Sequence, residues 1–430
     1  MGVFSEDALQ HKQRTVTLQG FYLIDQIREI ISSASPKKDR RMSIQPLDFL
    51  GCLIFGFMGD SKRFTLESVR RLLITETESH ISRSAHWERL GSNGISKSLS
   101  KILTQVMSLM ADRIGITPEL RAALGVSGIS IFDSSIVTLP KAASATFDGT
   151  FTDAGLKFHL EMDAASGAVN WSLLSAASVH DTCGFPETQS LCGRLSIFDL
   201  GYFDWERFVQ IKDNGGFFLS RVKSSAALPI IAVVQGIKRR HIGKNLKDIP
   251  FKKRHGEIIE FITEKTINRS KHTFRVIGFW NKQKKRYHWY ITNLTTCADI
   301  ISTLYRYRWQ IEILIKGAKQ SLNLDQIPSA KNEIILNLSV SNMIALGISM
   351  VIRKIAYINA DDSARNGISL LRSSKLLNLL SRDFLVFVRG ATNGLPLKRK
   401  IASILNELFD PNRTKRYTTL GRLHDELATI

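Results

Sequence analysis

Cysteine is scarce in this chain. Cys52, Cys183, Cys192 and Cys297 are the four thiols in 430 residues, and no two form a CxxC pair. That excludes a disulfide scaffold and a cysteine-based zinc module, and it suits the reduced thiols of a cytosol. Acidic residues are also few, 39 against 59 Lys and Arg, which leaves a net charge of +20 at neutral pH. Internal repeats and low-complexity tracts are lacking. The start, Met1–Arg14, has no apolar stretch of the signal-peptide kind. One long apolar run exists, Ile334–Ile355, but Asn337, Ser339, Ser341, Asn342 and Ser349 interrupt it. It reads as a buried core helix rather than a membrane span.

What is present is an ordinary globular composition, 43% apolar and 23% charged, which excludes wholesale disorder. At roughly 150 residues per domain the length suits two to four domains. The basic surplus favours nucleic acid or another polyanion without naming an activity. It is uneven: Leu200–Ile300 holds 20 Lys/Arg and 8 Asp/Glu, so 20 − 8 = +12 of the +20 falls there. The clusters are Lys238-Arg239-Arg240, Lys252-Lys253-Arg254 and Lys282–Arg286. Each alone fits a solvated turn; three together lean toward a phosphate-facing surface.

The first ~115 residues read as helices over Pro46–Met58, Leu66–Leu73, Ser79–Leu90 and Ile95–Ile114. Ser82–Leu90 followed by Ser96–Met110 fits either a helix-turn-helix or a plain bundle. From Ile129 the period changes to that of strands: Ile129–Val137, then a hairpin of Lys157–Asp163 and Ala168–Ala177 about an Ala-Ala-Ser-Gly167 turn, then Leu195–Asp199 and Phe217–Val222. Four more β-rich segments lie between Val233 and Asn293. A helix over Ile300–Leu322 follows, and mainly helices after it.

Two strands end alike, Ser130-Ile-Phe-Asp133 and Ser196-Ile-Phe-Asp199. A carboxylate at the end of a buried strand is costly unless it caps, pairs or binds a metal. In the helix, Tyr305, Arg308, Glu312 and Lys319 are spaced three, four and seven apart, which puts them on one face. Ile311, Leu314, Ile315, Ala318 and Leu322 occupy the other, core-facing side. The polar face reads either as a solvated stripe with an Arg308–Glu312 pair or as a third carboxylate flanked by cations. Three carboxylates suit hard divalent cations, and Arg and Lys beside them suit phosphates.

Here the sequence resembles a family. Tyr305-x2-Arg308-x3-Glu312-x6-Lys319 fills the Y-x2-R-x3-E-x6-K signature of DDE transposases of bacterial insertion sequences, the hairpin-type cut-and-paste group. Asp133-Ser-Ser resembles the first-Asp motif, with a second Ser where the family usually has Thr. Asp199-Leu-Gly-Tyr202 resembles the second-Asp motif. Phe217–Arg221 and Tyr290–Leu294 resemble the neighbouring strands. The likeness runs in order from Ile129 to Ile327. It implies a mixed α/β, ribonuclease-H-like catalytic core with a β-rich insertion and helical terminal regions. The expected divisions are a helical DNA-binding region at 1–120, core at 121–223, the basic insertion at 224–298, core again at 299–360, and a helical region suited to dimerisation at 361–430.

The resemblance further implies Asp133, Asp199 and Glu312 as catalytic metal ligands for two Mg2+ ions, or Mn2+. Tyr305, Arg308 and Lys319 become phosphate contacts. Trp280 and Trp289 are candidates for stacking a flipped base, or are plain core aromatics. His180-Asp181 resembles a recurrent family element with a structural role and none in chemistry. The expected function is transposition: binding inverted-repeat ends, metal-assisted cleavage, and joining of the 3′-hydroxyl to target DNA. The expected partners are double-stranded DNA and a second copy on paired ends, in the cytoplasm and away from membranes. A transposase-derived binding protein that no longer cuts, a structure-specific nuclease on the same core, and a polyanion-binding scaffold are the alternatives.

Overall fold

The computed structural model describes residues 19–37, 43–58, 65–110, 118–164, 166–252, 255–365 and 367–410. Met1–Arg14, the end of the expected Ile95–Ile114 helix, and Lys253 and Arg254 of the second basic cluster lie outside these residues. The fold is mixed α/β. Its strands are β1 (Gly128–Thr138), β2 (Gly155–Asp163), β3 (Val169–Ala176), β4 (Arg194–Phe198), β5 (Phe217–Val222), β6 (Ile230–Gln235), β7 (Ile258–Ile267), β8 (Ser270–Asn281) and β9 (Arg286–Thr292). They form one sheet in the order β3-β2-β1-β4-β5-β9-β8-β7-β6. β1 runs antiparallel to β2 and parallel to β4. β4 runs parallel to β5.

Period-2 alternation divides the core in two. Ile129, Ile131, Leu195, Ile197 and Leu219 pack on one face with the N- and C-terminal helices. Phe132, Phe198 and Phe218 point to the other face, toward Phe208 of the helix Trp205–Asp213. The Phe208 and Phe218 rings stack at 4.5 Å and Phe132 stacks on Phe198 at 5.1 Å. Each such buried ring contributes roughly 2–3 kcal/mol of hydrophobic stabilisation. The β2–β3 turn forms where Gly167 takes φ of +75°, and Asp163 accepts from the Ser166 amide at 2.8 Å. Both features fit a Ser-Gly turn.

The apolar run becomes a 28-residue helix, Asn332–Asn359. By length and composition it could cross a membrane, but 89% of its most apolar stretch is buried inside the protein. Its polar residues find partners there: Asn337 donates to the Leu90 carbonyl at 2.7 Å and Ser341 to the Asn337 carbonyl at 2.8 Å, while the Asn342 side chain donates to the Asn323 carbonyl and leaves its own oxygen unpaired. In the N-terminal region the pair expected as a helix-turn-helix or a bundle forms helices Arg83–Leu90 and Asn93–Ser108. Each starts at a serine cap, Ser82 and Ser92, whose hydroxyl accepts an orphan amide.

The β-rich segment expected as an insertion at 224–298 continues the core sheet, because β9 pairs antiparallel with β5, Ser220 opposite Ile291. That pairing removes the open edge β5 would otherwise expose. The helix expected over Ile300–Leu322 is two helices, Ala298–Arg306 and Trp309–Leu322. Between them the backbone tightens: Tyr307 bonds Leu304 at 3.0 Å and Arg308 bonds Tyr305 at 3.1 Å, both three residues apart. In such a turn side chains three apart eclipse one another. The Arg308 guanidinium accordingly lies over the Tyr305 ring, 5.9 Å from its centre.

Candidate active site

The twin Ser-Ile-Phe-Asp segments stand side by side. Ser130 pairs with Ser196 and Ile131 with Ile197 on parallel strands. Two residues further on in that register, Asp133 and Asp199 leave the paired region together. β1 continues past Asp133, whereas β4 ends at Phe198, so Asp199 opens the short turn Leu200–Tyr202. The Asp133 carboxylate accepts from the Ser134 amide at 2.8 Å.

The third carboxylate arrives on the helix Trp309–Leu322, whose Ile311, Leu314, Ala318 and Leu322 are fully buried. Glu312 thereby faces β1. Arg308 ties the set together: one terminal nitrogen lies 2.5 Å from Glu312 and the other 3.5 Å from Asp133. The Tyr305 hydroxyl lies 3.5 Å from an Asp199 oxygen. Beside them a cleft of about 360 Å³ is lined by Asp133, Ser134, Glu312, Ile315, Lys316, Lys319 and Gln320.

Electrostatics reflect the crowding. Burial pushes the Asp133 carboxyl from its ordinary 3.8 to about 6; the Ser134 amide and Arg308 oppose the rise, and the Asp199 and Glu312 charges add to it. Burial also raises the Tyr305 phenol, so it stays a neutral donor.

Of the expected residues, Asp133, Asp199, Glu312, Tyr305 and Arg308 are therefore gathered in one place. Lys319 lines the same cleft but donates to the Ile136 carbonyl of β1 at 3.0 Å. Lys316, four residues after Glu312, lines it too and is exposed. It falls outside the signature spacing, and only its i+4 relation to Glu312 hinted at a shared face. The two tryptophans differ. Trp289 is 3% exposed, packed among Phe251, Phe261 and Tyr287 and seated over Gly278, where a Cβ would come within 2.4 Å of the ring. Its ring is enclosed. Trp280 is partly open, edge-on to Tyr287 at 5.1 Å.

No three carboxylate, imidazole or thiolate groups among the described residues stand ready around a shared metal position. The cation between the carboxylates here is the Arg308 guanidinium. Asp133 and Glu312, which share the Arg308 guanidinium, and Asp199, next to the Tyr305 hydroxyl, still fit a hard divalent cation chemically as oxygen donors. The Asp133 and Glu312 carboxylates are bridged in this state by Arg308.

Residues 125–346 match the family model described as transposase DDE domain. That is just over half of the 430-residue chain, and the chain belongs to this family. It is similar to the transposase for insertion sequence element IS231B of Bacillus thuringiensis subsp. berliner, 28% identical over 253 residues, 48% of this chain and 52% of that protein. It is also similar to the transposase for insertion sequence element IS1151 of Clostridium perfringens, 25% identical over 269 residues, 52% of this chain and 56% of that protein. The chain spans about half the length of the curated relatives it matches. Among solved structures it is similar to a piggyBac transposase synaptic complex with hairpin DNA. That match has a TM-score of 0.44 and 10% identity, over 90% of this chain and 83% of that one.

Proposed function

We propose that the chain is a DNA transposase that binds the inverted-repeat ends of its element, cleaves there by phosphoryl transfer and joins the 3′-hydroxyl to target DNA. The observation that carries this reading is the Arg308 guanidinium reaching Asp133 and Glu312, with Tyr305 on Asp199. These groups come from β1, the end of β4, and two late helices, which is where a ribonuclease-H-like core keeps its carboxylates. The run β3-β2-β1-β4-β5, with β1, β4 and β5 parallel, supports that assignment of the core.

Asp133, Asp199 and Glu312 would hold divalent cations, Mg2+ or Mn2+ and two in number. Such cations, when bound, supply an activated water and charge stabilisation on the leaving oxygen. The rest falls to this chain's side chains. Arg308, once it exchanges its carboxylates for a phosphate, grips that phosphate through paired N–H donors. Tyr305, held neutral, donates from below. Lys319 and Lys316 line the cleft wall and would neutralise the flanking backbone. Together they fix the scissile phosphate over the carboxylates, and positioning is a main source of rate in such transfers. We further propose action as a homodimer on paired ends, in the cytoplasm on DNA, with Trp280 the better placed of the two tryptophans for stacking.

The test is a DNA fragment carrying the element's ends, incubated with the full chain, Mg2+ and a target plasmid. Nicked ends and joined products are expected. Nicks without joining would point to a nuclease, and end binding without nicks to a transposase-derived binding protein; either result overturns the proposal. The basic turns after β6 and between β8 and β9 carry a second expectation. Arg239, Arg240, Lys284 and Arg286 are exposed. Neutralising all four should lower the slope of log affinity against log salt by about 0.9 for each phosphate that is no longer neutralised. An unchanged slope would turn this face away from DNA.

A further inference from the structure

We infer that Asp181 is a positioning residue that sets the two active-site aspartates relative to one another, an inference that rests on the reading of Asp133, Asp199 and Glu312 as the reacting centre. Asp181 follows β3, in the short turn Asp181–Cys183. Its carboxylate is wedged between the two segments that carry those aspartates. One oxygen accepts from the Ser134 hydroxyl at 2.8 Å. Ser134 is the residue whose amide holds the Asp133 carboxylate. The same oxygen lies 3.1 Å from the Lys157 ammonium, which also donates to the Val179 carbonyl at 2.5 Å. The other oxygen rests against Gly201, where a Cβ would come within 2.7 Å of it. Gly201 lies two residues after Asp199, in the turn that Tyr202 closes by donating its amide to the Asp199 carbonyl at 3.1 Å.

The chain of contacts thus runs from the Asp133 carboxylate through Ser134 and Asp181 to the Asp199 turn. It is anchored from β2 by Lys157, whose side chain is 9% exposed. Tyr202, which closes the Asp199 turn, is itself buried at 2% exposure. A carboxylate suits this place better than an amide. An amide oxygen could take the same two donors, but only the carboxylate gives the buried ammonium its counter-charge, and the loss of one partner of such a pair strands the other. The first Ser of Asp133-Ser-Ser and the Gly of Asp199-Leu-Gly thereby acquire a shared purpose: a donor to one face of Asp181 and room for the other.

The experiment compares the full chain with its Asp181→Asn, Ser134→Ala and Glu312→Gln variants on element-end DNA. It reads Mn2+ affinity by calorimetry, single-turnover nicking against Mn2+ concentration, and thermal melting. Asp181→Asn should weaken Mn2+ binding about tenfold and shift the nicking curve to higher Mn2+ by the same factor, with end binding retained. Ser134→Ala should move both in the same direction. The double variant should be no worse than the poorer single, since both cut one chain of contacts. Wild-type Mn2+ affinity in Asp181→Asn, with only its melting lowered, would make Asp181 merely structural and overturn the inference. If that variant does not fold, wild-type affinity in Ser134→Ala does the same. Glu312→Gln separates the two levels: unimpaired Mn2+ binding and nicking there would sink the reading of the centre itself.

Discussion

Glu312→Gln is expected to cut nicking at the element ends by about 10³-fold while leaving the fold in place. The amide keeps the size of Glu312 and can still accept from Arg308, but it supplies no charge to a divalent cation. Metal-assisted phosphoryl transfer draws several kcal/mol from such charge, and each factor of ten corresponds to about 1.4 kcal/mol. The Glu312 side chain is 34% exposed, and pairs open to water contribute little, so the cost in folding should stay below about 1 kcal/mol. Arg308 also keeps Asp133 as a partner. Gel assays of single-turnover nicking with Mg2+, beside thermal melts, check both halves. Nicking within about tenfold of wild type would remove Glu312 from the centre.

Much of the sheet was legible because its strands obey the alternation that burial demands. Ile131 and Phe132, or Ile197 and Phe198, must face opposite sides, and the two faces hold an aliphatic and an aromatic core. The repeated Ser-Ile-Phe-Asp wording is matched in the fold by the parallel register of β1 and β4, Ser130 opposite Ser196. Long-range pairing was not legible. Nothing local to Arg286–Thr292 says that this strand must close the edge of β5, far earlier in the chain. The break at Tyr307-Arg308 was equally hidden, since neither Gly nor Pro marks it. The turn there is set by tertiary demands, with Tyr307 buried at 3% exposure and Trp309 left 62% exposed.

For the site, spacing was informative where one element carries the residues and silent where several do. Glu312 and Lys319 share a helix, and their common cleft followed from its period. The opposite fates of Trp280 and Trp289 depended on cross-strand register. Gly278 stands opposite Trp289 and makes room for its ring to bury. Lys157 reads from sequence as a solvent-facing residue of an alternating strand. In the fold the ammonium is drawn inward by Asp181 and the Val179 carbonyl, a compensation that only the folded arrangement supplies.

Asp133→Asn is expected to move activity and stability in opposite directions. Nicking should fall about as far as in Glu312→Gln, since a carboxylate is again lost. The metal-free protein should become more stable at pH 7.5. Burial holds the Asp133 carboxyl at about 6 against an ordinary 3.8, so the folded state binds this proton more tightly than the unfolded one. Folding then carries a penalty that is absent below about pH 4, grows between about 4 and 6, and is complete above about 6. A rise of roughly two pH units corresponds to on the order of 2–3 kcal/mol, and an amide, which cannot ionise, escapes it. In EDTA at pH 7.5 the variant should therefore melt a few degrees above wild type, with the gap closing by about pH 4. Mn2+ should reverse the order, because a bound cation stabilises the folded state that holds it, and the substituted amide offers the cation no charge. Nicking by the wild type should correspondingly decline as pH drops through about 6, where protons begin to compete for the Asp133 oxygens. A variant that melts below wild type in EDTA at pH 7.5 would show that Asp133 is held by its partners rather than strained by its burial.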